Sequence, residues 1–220
     1  MGSNLNNRHK VFFVSGIDTG IGKTYATGLL ARDWRSKGIH TITQKLVQTG
    51  SEGVSEDIVQ HRRLMGTGFT KEDSLGWTMP EIFRYPSSPH LAAALENRTI
   101  NFEKIRQATE NLSAVYDAVL IEGAGGLMVP LTRDYLIVDY IEQMQYPLIL
   151  VSSGRLGSIN HTLLSLELIK HRKITLHSLV YNAYPKTADA IIEKDTKAYL
   201  KRYLAQHFAQ AAFLETEMIS

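Results

Sequence analysis

The sequence contains no cysteine and no long apolar run. Without cysteine, a chain can form no disulfide, no thiolate metal site and no thiol nucleophile. No apolar stretch approaches the roughly 18 residues that a membrane-spanning helix needs. The polar first ten residues also lack the apolar core of a signal peptide. We therefore expect a cytoplasmic protein with no membrane partner.

The sequence also has no run of basic residues. Its 24 lysines and arginines against 22 aspartates and glutamates give a net charge of only +2, spread along the chain. Such a balance does not predict binding to nucleic acid. The length of 220 residues and the 44% hydrophobic content predict a single globular domain, which we assign to residues 10–220 after a flexible segment at residues 1–9.

What the sequence does contain is an alternation of short apolar runs with helical patterns. Such an alternation predicts an α/β fold with a mainly parallel sheet flanked by helices on both faces, and with ligands beyond the carboxyl ends of the strands. The predicted strands are residues 10–15, 40–47, 117–126, 146–153 and 176–184. The predicted helices are residues 24–37, 55–65, 90–97, 101–116, 159–170 and 186–208. Residues 48–53 and 66–89 are expected to be irregular.

The first predicted strand ends in the segment GIDTGIGKT, residues 16–24. Gly16, Gly20 and Gly22 permit close approach of the backbone to a ligand, and the amides at the start of the following helix favour an anion. Lys23 is placed to reach nucleotide phosphates, and the Thr24 hydroxyl to ligate Mg²⁺. The loop is one residue longer than the common GxxxxGK[ST] pattern. A plain glycine-rich turn is the alternative, but the pattern favours a P-loop NTPase-like fold.

Two carboxylates are candidates for the metal that accompanies a nucleotide. Glu122 directly follows four apolar residues and precedes GAGG, and Asp57 follows the second predicted strand by a short loop. Mg²⁺ prefers oxygen ligands and commonly takes one or two carboxylates together with phosphate oxygens. Asp134 and Asp139 are weaker candidates. For Glu122 and Asp57, helix capping or a salt bridge is the alternative role.

Lys45 lies near the end of the second predicted strand, in TITQKLV. Its ammonium must meet an anion or water, so it is a candidate to offset charge on a transferring phosphoryl group. A lysine that extends from the sheet edge into solvent is the alternative. The eight histidines show no metal-ligand spacing. Three of them on helical stretches, His61, His161 and His171, are expected to be exposed or satisfied in the core.

Several ordered motifs together resemble the dethiobiotin synthetase family. They are GIDTGIGKT, KLVQTGSEG, SSPH, VLIEGAGGLMVPL, LGSINHTLLS and VYN, and they span residues 11–182. The resemblance implies a ligase of biotin biosynthesis that converts 7,8-diaminononanoate, CO₂ or bicarbonate, and ATP to dethiobiotin, ADP and phosphate, with Mg²⁺ as cofactor. One substrate amine would form a carbamate, the carbamate would attack the γ-phosphate to give a carbamic–phosphoric anhydride, and the second amine would close the urea ring.

The resemblance also implies roles for individual residues. Lys45, Lys23 and Thr19 match catalytic positions, and Thr24, Asp57 and Glu122 match the Mg²⁺ ligands. The positions implied to bind nucleotide are Gly20, Ile21, Gly22, Lys23, Thr24, Tyr25, Asp57, Glu122, Gly123, Ala124, Gly125 and the adenine-reading Asn182. The positions implied to bind substrate are Thr49, Ser88, Gly157, Ser158 and Asn160. The last three would hold the substrate carboxylate at a helix N-terminus, across a homodimer interface.

The chain departs from the family pattern at three places. Gly20 stands where the family often has an acidic residue, Leu46 stands where it has proline, and residues 208–220 lack the Gly-x-Ile-Pro turn that lines the base. The chief alternative function is a ParA- or MinD-like ATPase switch, but its characteristic loop lysine is missing from residues 17–21. A cobyrinate-type synthetase with its own glutaminase is a further alternative, and the lack of cysteine excludes that glutaminase.

Overall fold

The computed structural model describes residues 10–184 and 189–216, and in these ranges the chain forms eight strands and eight helices. The strands are β1 (Val11–Gly16), β2 (Thr41–Lys45), β3 (Gln48–Thr49), β4 (Ile82–Phe83), β5 (Ala118–Gly126), β6 (Leu148–Ser153), β7 (Leu176–Asn182) and β8 (Ala212–Glu215). The helices are α1 (Lys23–Ser36), α2 (Glu56–Met65), α3 (Lys71–Ser74), α4 (Pro89–Leu95), α5 (Phe102–Val115), α6 (Ile137–Met144), α7 (Ser158–His171) and α8 (Ala190–His207). The predicted flexible segment, residues 1–9, lies outside the described residues.

Six strands form one sheet in the order β2-β5-β1-β6-β7-β8, and every neighbouring pair is parallel. The consecutive β5 residues Val119, Leu120 and Ile121 are all fully buried. Because successive side chains of a strand point to opposite faces, both faces of this sheet are covered. The predicted α/β fold with a mainly parallel sheet flanked by helices is therefore confirmed.

The strand order directs three strand ends to the same place. β1 lies between β5 and β6, and β2 lies on the far side of β5. In the register of the sheet, Glu122 of β5 is the partner of both Val14 of β1 and Lys45 of β2. The carboxyl ends of parallel strands meet at one edge, so these side chains lie next to the β1–α1 loop.

The sequence pattern does not predict two of the elements, α6 and β8. Two segments that the sequence predicts to be irregular also contain short elements. Segment 48–53 begins with β3, which pairs with β4, and segment 66–89 contains α3 and β4. Strands of two residues and a helix of four are too short to show a hydrophobic period. The predicted helix 186–208 begins at Ala190 with Asp189 as its N-cap, and residues 186–188 lie outside the described residues. Within the described ranges, no helix has both the length and the apolarity to cross a bilayer.

Candidate active site

The β1–α1 loop is built on glycines with left-handed backbone conformations. Gly20 has a φ of +69°, and Gly22, which precedes the first residue of α1, has a φ of +93°. A Cβ atom at Gly22 would lie 2.1 Å from Nδ2 of Asn182, so a larger residue there would displace that amide and strain the backbone. Among the described residues no side chain caps α1. Its first backbone amides are therefore available to an anion.

Lys23, the first residue of α1, is a buried cation. It is 7% exposed, and its Nζ donates to the backbone oxygen of Asp18 at 3.1 Å. Within the part of the chain that the structure describes, no carboxylate lies within ion-pair distance of this ammonium. Burial lowers the pKa of Lys23 to about 8, and the attraction of Glu122 offsets only part of that effect. An anionic ligand in the loop would supply the missing negative charge.

Three oxygen-bearing side chains from three elements converge beside Lys23. The Thr24 hydroxyl lies 2.9 Å from Oδ1 of Asp57 and 3.0 Å from Oε1 of Glu122. A hydroxyl and two carboxylates are hard oxygen ligands of the kind that Mg²⁺ takes. The described residues hold no cluster of three or more His, Asp or Glu side chains arranged around a metal. An ion at this place would therefore need further oxygens from a bound ligand or water.

Lys45 supplies positive charge inside this cluster. Its ammonium lies 2.5 Å from Oδ2 of Asp57 and 2.9 Å from Oε1 of Glu122, and it donates to the backbone oxygen of Gly123 at 3.1 Å. Burial alone would lower the pKa of Lys45, but the two carboxylates outweigh it and raise that pKa. Burial alone would raise the pKa of Glu122, but the Lys45 ammonium and a hydrogen bond from His61 hold it well below its ordinary value. Lys45 is therefore a buried, charged group, not a solvated lysine at the sheet edge.

His61 of α2 also belongs to this cluster. It is fully buried, and its Nε2 lies 2.7 Å from Oε2 of Glu122. The expectation of an exposed or core histidine misses this contact, whereas His161 and His171 are exposed as expected. One signal in the sequence could have indicated it. His61 follows Asp57 by four residues, so both side chains lie on the same face of α2.

A cavity of about 730 Å³ opens over the cluster, within the size range of roughly 300–1,000 Å³ that is usual for ligand sites. The predicted site residues that line it are Thr19, Gly20, Gly22, Lys23, Thr24, Tyr25, Lys45, Thr49, Asp57, Ser88, Glu122, Ala124 and Gly125. Sequence reasoning assigned no role to the other lining residues, Val47, Gln48, Gln60, Pro86, Ser87, Pro89 and Val129. The predicted site residues outside the lining are Ile21, Gly123, Gly157, Ser158, Asn160 and Asn182.

Asn182 joins the end of β7 to the β1–α1 loop. Its amide nitrogen donates to the backbone oxygens of Ile21 and Tyr184, each at 2.9 Å. Its Oδ1 accepts from the backbone N–H of Tyr184 at 3.2 Å and from the Thr216 hydroxyl at 3.4 Å. Both hydrogens of the amide are thus used within the protein. Asn182 holds the loop in place, and its role in adenine recognition stays a prediction.

The N-terminus of α7 lies beside the β1–α1 loop but outside the cavity. Arg155, just before α7, pairs with Asp18 of the loop at 2.6 Å. Gly157 has a φ of +91° and precedes the first residue of α7. Ser158 is buried, with its hydroxyl 3.0 Å from a serine hydroxyl of β6, whereas Asn160 is exposed. Asn160 is therefore accessible at the surface, and the Ser158 side chain is not.

The two weaker metal candidates lie elsewhere. The Asp139 carboxylate accepts from the backbone N–H of Leu136 at 2.8 Å and pairs with Arg172 at 3.0 Å. Asp134 is exposed. Neither residue lines the cavity, so the candidate donors there remain those of α1, α2 and β5.

Comparison with known proteins gives close relatives over nearly the whole chain. A family model described as an AAA domain matches residues 10–211. An ATP-dependent dethiobiotin synthetase of Pasteurella multocida is 49% identical over 211 residues, which cover 96% of this chain and 99% of that protein. One of Haemophilus ducreyi is 52% identical, with 93% and 97% covered, and one of Chlorobaculum tepidum is 54% identical, with 88% and 82% covered.

Two solved structures share the fold at low sequence identity. ParA of pNOB8, bound to nonspecific DNA, has a TM-score of 0.53 at 15% identity and covers 93% of this chain and 79% of that one. The cell division protein FtsY of Thermotoga maritima has a TM-score of 0.52 at 16% identity, with 94% and 64% covered. Such likeness shows the P-loop NTPase-like fold and nothing about function. The sequence relatives are far more specific, and this chain belongs to the dethiobiotin synthetase family.

Proposed function

We propose that this chain is an ATP-dependent ligase of biotin biosynthesis that forms the cyclic urea of dethiobiotin. Its substrates would be 7,8-diaminononanoate, CO₂ drawn from bicarbonate, and ATP, and we expect it to act in the cytoplasm without nucleic acid or membrane. One observation carries the proposal. A glycine loop, a buried lysine and three oxygen donors meet at one cavity, in a chain 49–54% identical to enzymes of that name.

The β1–α1 loop would bind the β- and γ-phosphates of ATP. The left-handed glycines Gly20 and Gly22 let backbone amides approach the phosphate oxygens. Lys23 would gain an anionic partner, which favours its protonated form. Tyr25, Ala124 and Gly125 line the same cavity and would contact the nucleotide.

Mg²⁺ fits the donor set beside the loop. The Thr24 hydroxyl lies within 3.0 Å of carboxylate oxygens of both Asp57 and Glu122, and the two carboxylates supply the negative charge that a divalent ion needs. Phosphate oxygens would complete the ligands. When bound, the ion would supply positive charge that stabilises phosphoryl transfer.

The chemistry needs positioning and positive charge but no protein nucleophile. A substrate amine attacks CO₂, so that an N–C bond forms and a proton is lost. A carbamate oxygen then bonds to the γ-phosphorus while the bond from phosphorus to the ADP oxygen breaks. The second amine attacks the carbamate carbon, the C–O bond to the phosphate breaks, and the ring closes with release of phosphate and a proton.

Lys45 and Thr19 lie on the cavity wall where these negative charges would meet. In a buried site an ammonium group stabilises developing charge more strongly than it does in water. Lys45 is 5% exposed and already charged, so it needs no proton at the moment of reaction. Thr49 and Ser88 also line the cavity and would contact the diamine.

The far end of the diamine would reach a second copy of the chain. We propose a homodimer in which Gly157, Ser158 and Asn160 at the start of α7 bind the substrate carboxylate. The surface around α7 supports this arrangement. Leu156, just before α7, is 86% exposed, and Leu164, one turn after Asn160 on α7, is 63% exposed. Large exposed apolar side chains beside a candidate site are typical of an interface.

Product formation tests the proposal. The protein would be incubated with the diamine, bicarbonate and Mg²⁺-ATP, and dethiobiotin and ADP would be quantified by mass spectrometry. We expect one ADP for each dethiobiotin. Release of ADP at a rate that does not depend on the diamine, without formation of dethiobiotin, would overturn the proposal. An Asn160→Ala variant should raise the Michaelis constant for the diamine more than that for ATP, and equal effects would count against the interface site.

A further inference from the structure

We infer that His61 is a positioning residue for Glu122. Its imidazole holds one carboxylate oxygen so that the other faces the Thr24 hydroxyl and the Lys45 ammonium. This inference rests on the metal role proposed above for Glu122. It adds a second residue of α2, beside Asp57, to the parts that set the Mg²⁺ dependence of nucleotide binding.

The two oxygens of Glu122 have separate partners. Oε1 lies 3.0 Å from the Thr24 hydroxyl and 2.9 Å from Nζ of Lys45. Oε2 lies 2.7 Å from Nε2 of His61. A carboxylate free to rotate about its last bond could present either oxygen, or neither, to the cavity. The imidazole contact removes that freedom, because turning the group would break a hydrogen bond in a fully buried place.

The hydrogen in this contact belongs to His61. An ionised carboxylate only accepts hydrogen bonds, so Nε2 must carry the hydrogen and donate it. Nδ1 is buried and has no partner among the residues that the structure describes. The ring is therefore oriented by Glu122 alone on its polar side, and by its packing on α2. This pairing of an imidazole with a ligand carboxylate is the kind of outer contact that orients metal ligands.

A purely structural role for His61 makes a different prediction. If the ring only filled space, a leucine of similar volume would serve equally well. Glu122 is 1% exposed, so without the imidazole its Oε2 would lose a hydrogen bond that water cannot easily replace. The carboxylate would then be free to take other orientations, and the oxygen that faces Thr24 would no longer be fixed.

Four variants separate these roles. His61→Leu removes the donor at similar volume. His61→Gln places an amide nitrogen near the position of Nε2, whereas His61→Asn is one methylene shorter, remains polar and cannot reach Oε2. His177→Leu is the matched control, because His177 is a largely buried histidine that packs against Phe12 and Trp34 far from the cluster.

The measurement is binding of a non-hydrolysable ATP analogue by calorimetry, with and without Mg²⁺, on protein shown to be folded by circular dichroism. We expect His61→Leu and His61→Asn to raise the Mg²⁺ concentration at which the effect of Mg²⁺ on nucleotide affinity is half-maximal. The increase should be about 10-fold or more, because loss of an outer contact to a metal ligand generally weakens metal affinity by that much. Binding without Mg²⁺ should change little. His61→Gln should recover most of this loss, because its amide nitrogen can donate to Glu122, and His177→Leu should match the unaltered protein.

Two results would overturn the inference. The first is that His61→Asn and His61→Gln need the same Mg²⁺ concentration for the half-maximal effect on nucleotide affinity. This comparison can be made even if His61→Leu does not fold. The second is a weakening of nucleotide binding that is equal with and without Mg²⁺. A Glu122→Gln variant separates the metal role of Glu122 from the positioning role of His61. If it leaves the Mg²⁺ requirement unchanged, the metal role of Glu122 fails and the inference falls with it. If it raises the requirement and His61→Asn does not, the inference alone fails.

Discussion

Replacing Lys45 by methionine removes the ammonium between two carboxylates and keeps a side chain of similar length. Lys45 is 5% exposed and Glu122 1% exposed, so water does not replace the lost charge at Glu122. Breaking a buried ion pair by removing one partner typically costs about 3–5 kcal/mol. The Asp57 side chain is 25% exposed, and its share of that cost is smaller because solvent screens it.

We therefore expect Lys45→Met to lower the free energy of unfolding of the metal-free protein by about 3–5 kcal/mol at pH 7. In a chain of this size, each kcal/mol lowers the midpoint of thermal unfolding by about 2–4 °C, which gives a fall of roughly 6–20 °C. The double variant Lys45→Met, Glu122→Gln should recover most of the loss, because no buried charge is then left without a partner. Turnover should be lost in both variants.

Urea unfolding followed by circular dichroism measures these differences. Lys37→Met is the matched control. Lys37 pairs with Asp33 at 2.6 Å, but its side chain is 57% exposed, so we expect a change of at most about 1 kcal/mol. A loss of stability in Lys45→Met no larger than that in the control would show that Lys45 does not neutralise a buried charge. A double variant no more stable than Lys45→Met alone would show the same.

The remaining predictions concern the loop and a second buried ion pair. Burial lowers the pKa of Lys23 to about 8 when no ligand is bound, and bound phosphate favours its charged form. ATP affinity should therefore be constant below pH 8 and fall above it by up to about tenfold per pH unit. Calorimetry from pH 7 to 9.5 measures this dependence, which Lys23→Met should abolish. Gly22→Ala should abolish nucleotide binding, because its Cβ would lie 2.1 Å from Nδ2 of Asn182 at a φ of +93°; unchanged affinity would contradict the fit. Arg62→Met removes the cation that pairs with the buried Asp73 at 2.8 Å, while Thr70 and Thr78 still donate to that carboxylate. Urea unfolding should therefore show a loss of up to about 3–5 kcal/mol, with partial recovery when Asp73 is also changed to asparagine.

The parts of the site that the sequence predicts are those that one strand or one loop carries by itself. The glycines and Lys23 follow one strand directly, and Glu122 ends a run of four apolar residues. Since parallel strands end at one edge of the sheet, the fold class places the ends of these strands on the same side. That Lys45 is the direct neighbour of Glu122 appears only in the strand order and register.

The parts that sequence reasoning misses depend on contacts between elements distant in the chain. His61 meets a residue 61 positions away, and only its spacing from Asp57 hints at it. The Asn182 amide donates to the backbone oxygen of Ile21, 161 positions away in the chain. That this hydrogen bond holds the β1–α1 loop can be seen only in the structure. The strand β3 contributes Gln48 and Thr49 to the cavity wall and pairs with β4, yet two residues in each strand are too few to show a period.

Transfer of oxygen from CO₂ to phosphate would distinguish phosphorylation of a carbamate from simple hydrolysis of ATP. In the proposed reaction a carbamate oxygen attacks the γ-phosphorus. CO₂ labelled with ¹⁸O at both oxygens, supplied in unlabelled water with the reaction quenched before oxygen exchange, should therefore leave one ¹⁸O in each phosphate and one in the urea carbonyl of each dethiobiotin. Mass spectrometry of both products measures the two labels. Unlabelled phosphate, released while dethiobiotin is formed with label in its carbonyl alone, would show that no carbamate oxygen attacks the γ-phosphorus.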